Sequence, residues 1–155
     1  MKEGILNVSL GSDHGGYRLK EYVKGLLGKV RGLRVEDCGT FSEESVDYPD
    51  TAYQVAEAVS RGRAARGILI CKTGIGNSIV ANKLPRVRAA LCYNEKAARL
   101  SRLHNDANVL VLGALFVNRK QAKRIIGVWL ATAFEGGRHQ RRIRKIERIE
   151  RSCLP

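Results

Sequence analysis

The sequence predicts an α/β fold in which a parallel sheet is covered by helices on both faces. Two observations carry that expectation. Residues 67–71 (GILIC) and 108–112 (NVLVL) are almost continuously apolar, as strands buried on both faces must be. Around them, apolar residues recur at helical spacing, and strands alternating with amphipathic helices build a parallel sheet.

In order, residues 5–10 form a first strand that ends in GSDHGG. Leu19, Val23, Leu26 and Leu27 then mark one face of a helix. Residues 33–36 form a second strand closing in DCGT, and 49–60 a helix with Val55, Ala56 and Val59 inward. The strand at 67–71 runs into KTGIGN and a short helix through Ala81. A fourth strand spans 87–91, a helix 96–103 and the fifth strand 108–112. Helices at about 119–133 and 139–151 finish the chain. With no linker, repeat or low-complexity segment, residues 1–155 are expected to make one domain.

Composition narrows the function. The chain is 44% hydrophobic, so it can build a core. No apolar run approaches the ~20 residues of a membrane span, and the N-terminal segment is too short and polar for a signal sequence. A cytoplasmic protein is expected. Cysteines 38, 71, 92 and 153 lack CxxC spacing, which argues against a metal or disulfide framework. The formal net charge of +13 calls for an anionic partner, either a nucleic acid or a phosphorylated metabolite.

In open parallel sheets ligands sit beyond the carboxyl ends of the strands, so the loops GSDHGG, DCGT, CKTGIGN, CYNEK and LGAL matter most. All three histidines, His14, His104 and His139, lie at segment junctions. Each alone reads as a surface or capping residue; three together favour a shared site. In CKTGIGN, Gly74 and Gly76 let the backbone approach a ligand with its amides turned inward, at the start of a helix whose dipole favours negative charge. Cys71 and Thr73 flank that cradle. Cys71 reads equally well as a buried thiol or as a base activated beside the helix start. The loop fails as a dinucleotide fingerprint, and GSDHGG fails as a P-loop because Tyr17 and Arg18 follow it.

Arg138 and Arg142, four residues apart, share a helix face. Ile143, Ile146, Ile149 and Cys153 form a separate apolar stripe, for which a second copy of the chain is the simplest partner. Arg144, Lys145 and Arg148, interspersed with Glu147 and Glu150, read as a solvated face.

Six segments in order, GSDHGG, DCGT, VDYP, ILICKTGIGNSIVANK, RLHNDANVLVLG and FEGGRHQRR, resemble ribose-5-phosphate isomerase type B, a family that includes allose- and galactose-6-phosphate isomerases. The resemblance covers nearly the whole chain. It implies a Rossmann-like three-layer fold with five parallel strands, the C-terminal helix packed on a partner subunit, and a homodimer or dimer of dimers with interfacial sites. It also implies a pentose phosphate pathway reaction, ribose 5-phosphate to ribulose 5-phosphate through a cis-enediolate, with no metal or organic cofactor. By position, Cys71 would be the base, and Thr73 with the amides of Gly74, Ile75, Gly76 and Asn77 would hold the enediolate. His104 would assist ring opening, and Asp13 would hold sugar oxygens. His14, Tyr48 and Asn105 would line the pocket, with His139 in the substrate-binding set. Arg138 and Arg142 would bind phosphate from the partner subunit.

Asn77 stands where another branch of the family has a glutamate base, which puts this chain in the cysteine branch. Lys72 stands where glycine is usual, and Leu115 where many members carry a phosphate-binding arginine. Lys72 is accordingly expected either to reach the phosphate or terminal hydroxyls, or to turn out to solvent or pair with an acidic neighbour at the interface. The alternatives are another sugar phosphate, allose or galactose 6-phosphate, and, further behind, a nucleic-acid-binding protein on the same scaffold. The expected pocket brings together Cys71, His14, His104 and the arginines.

Overall fold

A computed structural model describes residues 4–153; residues 1–3 and 154–155, the ends of the expected domain, lie outside the described residues. The elements are β1 (Leu6–Ser12), α1 (Tyr17–Leu27), β2 (Leu33–Asp37), α2 (Tyr48–Ser60), β3 (Arg66–Cys71) and α3 (Ile75–Ala81). They continue with β4 (Ala89–Leu91), α4 (Glu95–Asn105), β5 (Val109–Gly113), α5 (Arg119–Ala131) and α6 (Arg138–Cys153). All strands pair in parallel, in the order β2-β1-β3-β5-β4.

The continuously apolar strands are central. In β3 and β5, Ile68, Ile70, Leu110 and Leu112 face a core with Leu19, Val23, Ala98, Ile125 and Trp129, which come from α1, α4 and α5. Leu69, Val109 and Val111 face the other way, against Ala52, Val55, Ala56 and Val59 of α2 and Ala81 of α3. Alternate residues of one strand thus serve two cores. The result is the three-layer α/β sandwich that the sequence predicts.

Two strand ends differ from expectation. β1 continues through Gly11 and Ser12, whose partners are Leu69 and Ile70 of β3; pairing overrides the turn character of Gly–Ser. The edge strand β4 begins at Ala89 rather than Val87, because the Arg88 N–H donates to Asn108 Oδ1 at 2.8 Å instead of to a strand.

The terminal helix packs first on its own chain. Ile143 is buried, and Glu150 accepts both its bonds, at 3.0 Å, from the Arg86 N–H. Ile146 and Ile149 stay exposed on a groove of about 700 Å³ shared with Asn82, Val87 and Ala107. Among the described residues no helix is long and apolar enough to cross a membrane.

Candidate active site

Because the chain runs to β2 on one side of β1 and continues from β3 on the other, a crevice opens between the carboxyl ends of β1 and β3. Asp13 and His14 come from the first of these ends, and Cys71 to Asn77 from the second. Asp13 is buried, and its Oδ1 accepts the Gly16 N–H at 3.0 Å. His14 is exposed; its Nδ1 accepts the Val46 N–H at 3.2 Å, which leaves Nε2 as the donor.

Cys71 is 4% exposed, and its Sγ accepts the Gly74 N–H at 3.1 Å. The other cysteines are placed differently. Burial pushes the Cys38 thiol up and that of Cys92 to about 11, while Cys153 is exposed on the last turn of α6. Thr73 Oγ1 accepts the Ile75 N–H at 3.2 Å, so its own proton is free to be donated. Tyr93, which sequence reasoning left unassigned within CYNEK, donates its hydroxyl to the Thr73 carbonyl at 3.2 Å and packs edge-on against Phe116.

The glycines here are held by close backbone packing. Gly74 has φ of +82°, and a Cβ on it would lie 2.4 Å from Leu91 Cδ1. A Cβ on Gly113 would lie 2.3 Å from the Thr73 carbonyl oxygen, and one on Gly76 would lie 2.6 Å from the Tyr48 ring. Tyr48, at the start of α2, therefore lies against the glycine loop. Asn77 is 1% exposed with Oδ1 unpartnered, an open acceptor behind the loop. Lys72 and Leu115 are neighbours, the Lys72 carbonyl accepting the Leu115 N–H at 3.0 Å, and both side chains are exposed.

The remaining expected residues lie elsewhere. His104 and Asn105 end α4, four and three residues before Asn108, whose carbonyl accepts the N–H of Gly67 at the opposite end of β3 from Cys71. Four strand rises, about 13 Å, separate those ends of the sheet. His139 joins His104: their rings stack at 4.2 Å with 11° between planes. Arg138 and Arg142 are exposed on the first turns of α6. The expected convergence of Cys71, His14 and His104 therefore does not occur within one chain. A helix connecting parallel strands runs against them, so a residue at the end of α4 must sit at the starting edge of the sheet.

Sequence reasoning missed two residues in this second group. Arg102, 3% exposed, donates to Asp106 Oδ1 and the Ala107 carbonyl at 2.7 Å and to the Thr132 carbonyl at 3.3 Å, tying the end of α4 to the segment before α6. Glu135 places its Oε2 3.9 Å from His104 Nε2 and 3.7 Å from His139 Nε2. Its position inside FEGGRHQRR, four residues before His139, was the available signal. Burial first, and then the neighbouring His104, hold His139 below the ordinary imidazole range; Arg138 and Arg142 add to this and Glu135 opposes it.

An open parallel sheet with a buried thiol, a hydroxyl and a glycine loop at its switch point offers a site for a small-molecule ligand. The chain matches the family model described as Ribose/Galactose Isomerase over residues 8–146, and it belongs to that family. It is 48% identical over 143 residues to ribose-5-phosphate isomerase B of Escherichia coli (strain K12), covering 92% of this chain and 95% of that one. A solved structure of Clostridium thermocellum ribose-5-phosphate isomerase B superposes with a TM-score of 0.94 at 51% identity, covering 96% of this chain and all (100%) of that one. The Mycoplasma genitalium enzyme, solved with bound ribulose-5-phosphate, gives a TM-score of 0.91 at 42% identity, with 96% and 98% covered.

Proposed function

We propose that this chain interconverts ribose 5-phosphate and ribulose 5-phosphate through a cis-enediolate, as one domain acting in the cytoplasm. The observation that carries the reading is the buried Cys71 sulfur, which accepts the Gly74 N–H beside the glycine loop at the switch point. Membership of an isomerase family supports it, and four free thiols suit a reducing compartment.

In the aldose-to-ketose direction, the Cys71 thiolate takes the proton from C2 of the open-chain sugar. The C2–H electrons form the C1=C2 bond, and the carbonyl electrons move onto O1. The Gly74 and Ile75 amides are given to Cys71 Sγ and Thr73 Oγ1, so the amides of Gly76 and Asn77, at the start of α3, hold that oxyanion with the Thr73 hydroxyl. Cys71 then returns its proton to C1, the proton on O2 passes to O1, and C2 becomes the ketone. Asp13, His14 and Tyr48 hold the sugar hydroxyls.

Ring opening by His104, with Asn105, and phosphate binding by Arg138, His139 and Arg142 need the other end of the sheet. A second copy of the chain supplies them, so the working form is a homodimer or a dimer of dimers with sites shared between subunits.

The decisive experiment is a direct assay on ribose 5-phosphate, allose 6-phosphate and galactose 6-phosphate, with and without chelator. Ribose 5-phosphate should turn over with the highest kcat/KM, unaffected by chelator. Turnover confined to a hexose phosphate would overturn the substrate assignment.

Lys72 lies beside Leu115 on the rim. It stands in for the missing arginine, as a point charge without a guanidinium fork. Lys72→Gly should raise KM for phosphorylated sugars and make it less sensitive to salt. An unchanged KM would return Lys72 to the solvated surface.

A further inference from the structure

We propose that His104, Glu135 and His139 form a binding site for a transition-metal ion of the zinc class, one that shares His104 and His139 with the proposed isomerase site but takes no part in the isomerisation. His139 is 3% exposed, and its buried Nε2 has no hydrogen-bond partner. A buried polar atom left unpartnered is costly and marks a position where a ligand can bind. The nearest acidic oxygen, Glu135 Oε2, lies 3.7 Å away, and the same oxygen lies 3.9 Å from His104 Nε2. One ligand atom from each residue lies within 4.8 Å of the other two, the only such cluster of His, Cys, Asp and Glu among the described residues.

The distances are close to those of a metal centre. Tetrahedral zinc with bonds of about 2.0–2.1 Å places its ligand atoms about 3.3 Å apart. Two edges must contract by roughly half an ångström, and the third by at most about 1.5 Å. A metal also lies in the plane of each imidazole that binds it, whereas these rings stack with 11° between planes, so at least one must tilt. The side chains of His104 and Glu135 are 38% and 55% exposed and have room to move, while His139 is fixed in α6. Two imidazoles and a carboxylate select zinc, cobalt, nickel or copper over magnesium or calcium, and leave a fourth position for water. The positive charge of Arg138 and Arg142 reaches this site, so affinity stands below that of a buried structural zinc.

Occupancy would take the Nε2 of His104. If that imidazole opens the sugar ring as proposed, the metal inhibits the isomerase; this consequence rests on the functional reading, whereas binding does not. The test is calorimetric titration of the full chain with zinc chloride, with the visible spectrum of the cobalt(II) form recorded in parallel. Wild type should bind one ion per chain with a tetrahedral cobalt spectrum. Glu135→Gln and His104→Asn, both at exposed or half-exposed positions that can change without unfolding the chain, should each weaken binding about tenfold or more. No binding by wild type, or equal binding by wild type and both variants, would overturn the site; the second outcome would place the ion on a cysteine. In a parallel assay, reversible inhibition of wild type that is lost in Glu135→Gln supports both the site and the role of His104. Site-specific binding without inhibition keeps the site and counts against that role.

Discussion

Cys71→Ala is expected to lower kcat on ribose 5-phosphate at least roughly a hundred-fold, since general base catalysis contributes about 10² to 10⁴. The fold should survive. The substitution deletes one buried atom that accepts the Gly74 N–H at 3.1 Å, and loss of such a contact costs on the order of 1 kcal/mol. KM should change little, because the groups assigned to hydroxyls and phosphate are untouched. The other cysteines cannot replace the base: burial holds Cys38 and Cys92 protonated, and Cys153 is on the last turn of α6. Stopped-assay kinetics together with a thermal melt will separate chemistry from folding. Near-normal turnover in a folded Cys71→Ala protein would remove the thiol from the mechanism.

Mixing two inactive variants should restore activity. Cys71→Ala damages the carboxyl end of the sheet and leaves the α4–α6 end whole; Arg142→Ala does the reverse. With sites shared between subunits, a hybrid dimer holds one intact site and one doubly damaged site. Random exchange makes half of all dimers hybrids, so the mixture should recover about a quarter of wild-type activity. Cys71→Ala mixed with His104→Asn should behave alike, because His104 sits with the arginines and not with Cys71. Placing both substitutions in one chain and mixing it with an unmodified chain gives the converse control. No recovery despite demonstrated subunit exchange would mean that each site is built within one chain.

The parts of the fold legible in the sequence were those fixed by burial on two faces. GILIC and NVLVL could only be central strands, and they are. Less legible was the edge, where a side chain, Asn108, displaced the start of β4. For the candidate site, the glycine cradle and its flanking Cys71 and Thr73 were readable because they follow a strand. The division of the residues between two sheet ends was also implicit: His104 precedes a strand, while Asp13 and Cys71 follow theirs. The pairing of Glu135 with two histidines was not readable, since it depends on α6 folding back beside α4.

The closeness of the crevice backbone sets how this enzyme can be altered, by evolution or by design. Wherever a Cβ is added to Gly74, Gly76 or Gly113, it meets a neighbour at 2.6 Å or less, two of them being a carbonyl oxygen and an aromatic ring. The floor of the crevice therefore admits almost no new atoms, and natural drift there is confined to silence. In the proposed site, variation in which sugar is accepted would come from the rim, at Lys72, Leu115 and Tyr48, whose side chains are exposed. A library aimed at new substrates would do best with those three positions randomised and the glycines held fixed.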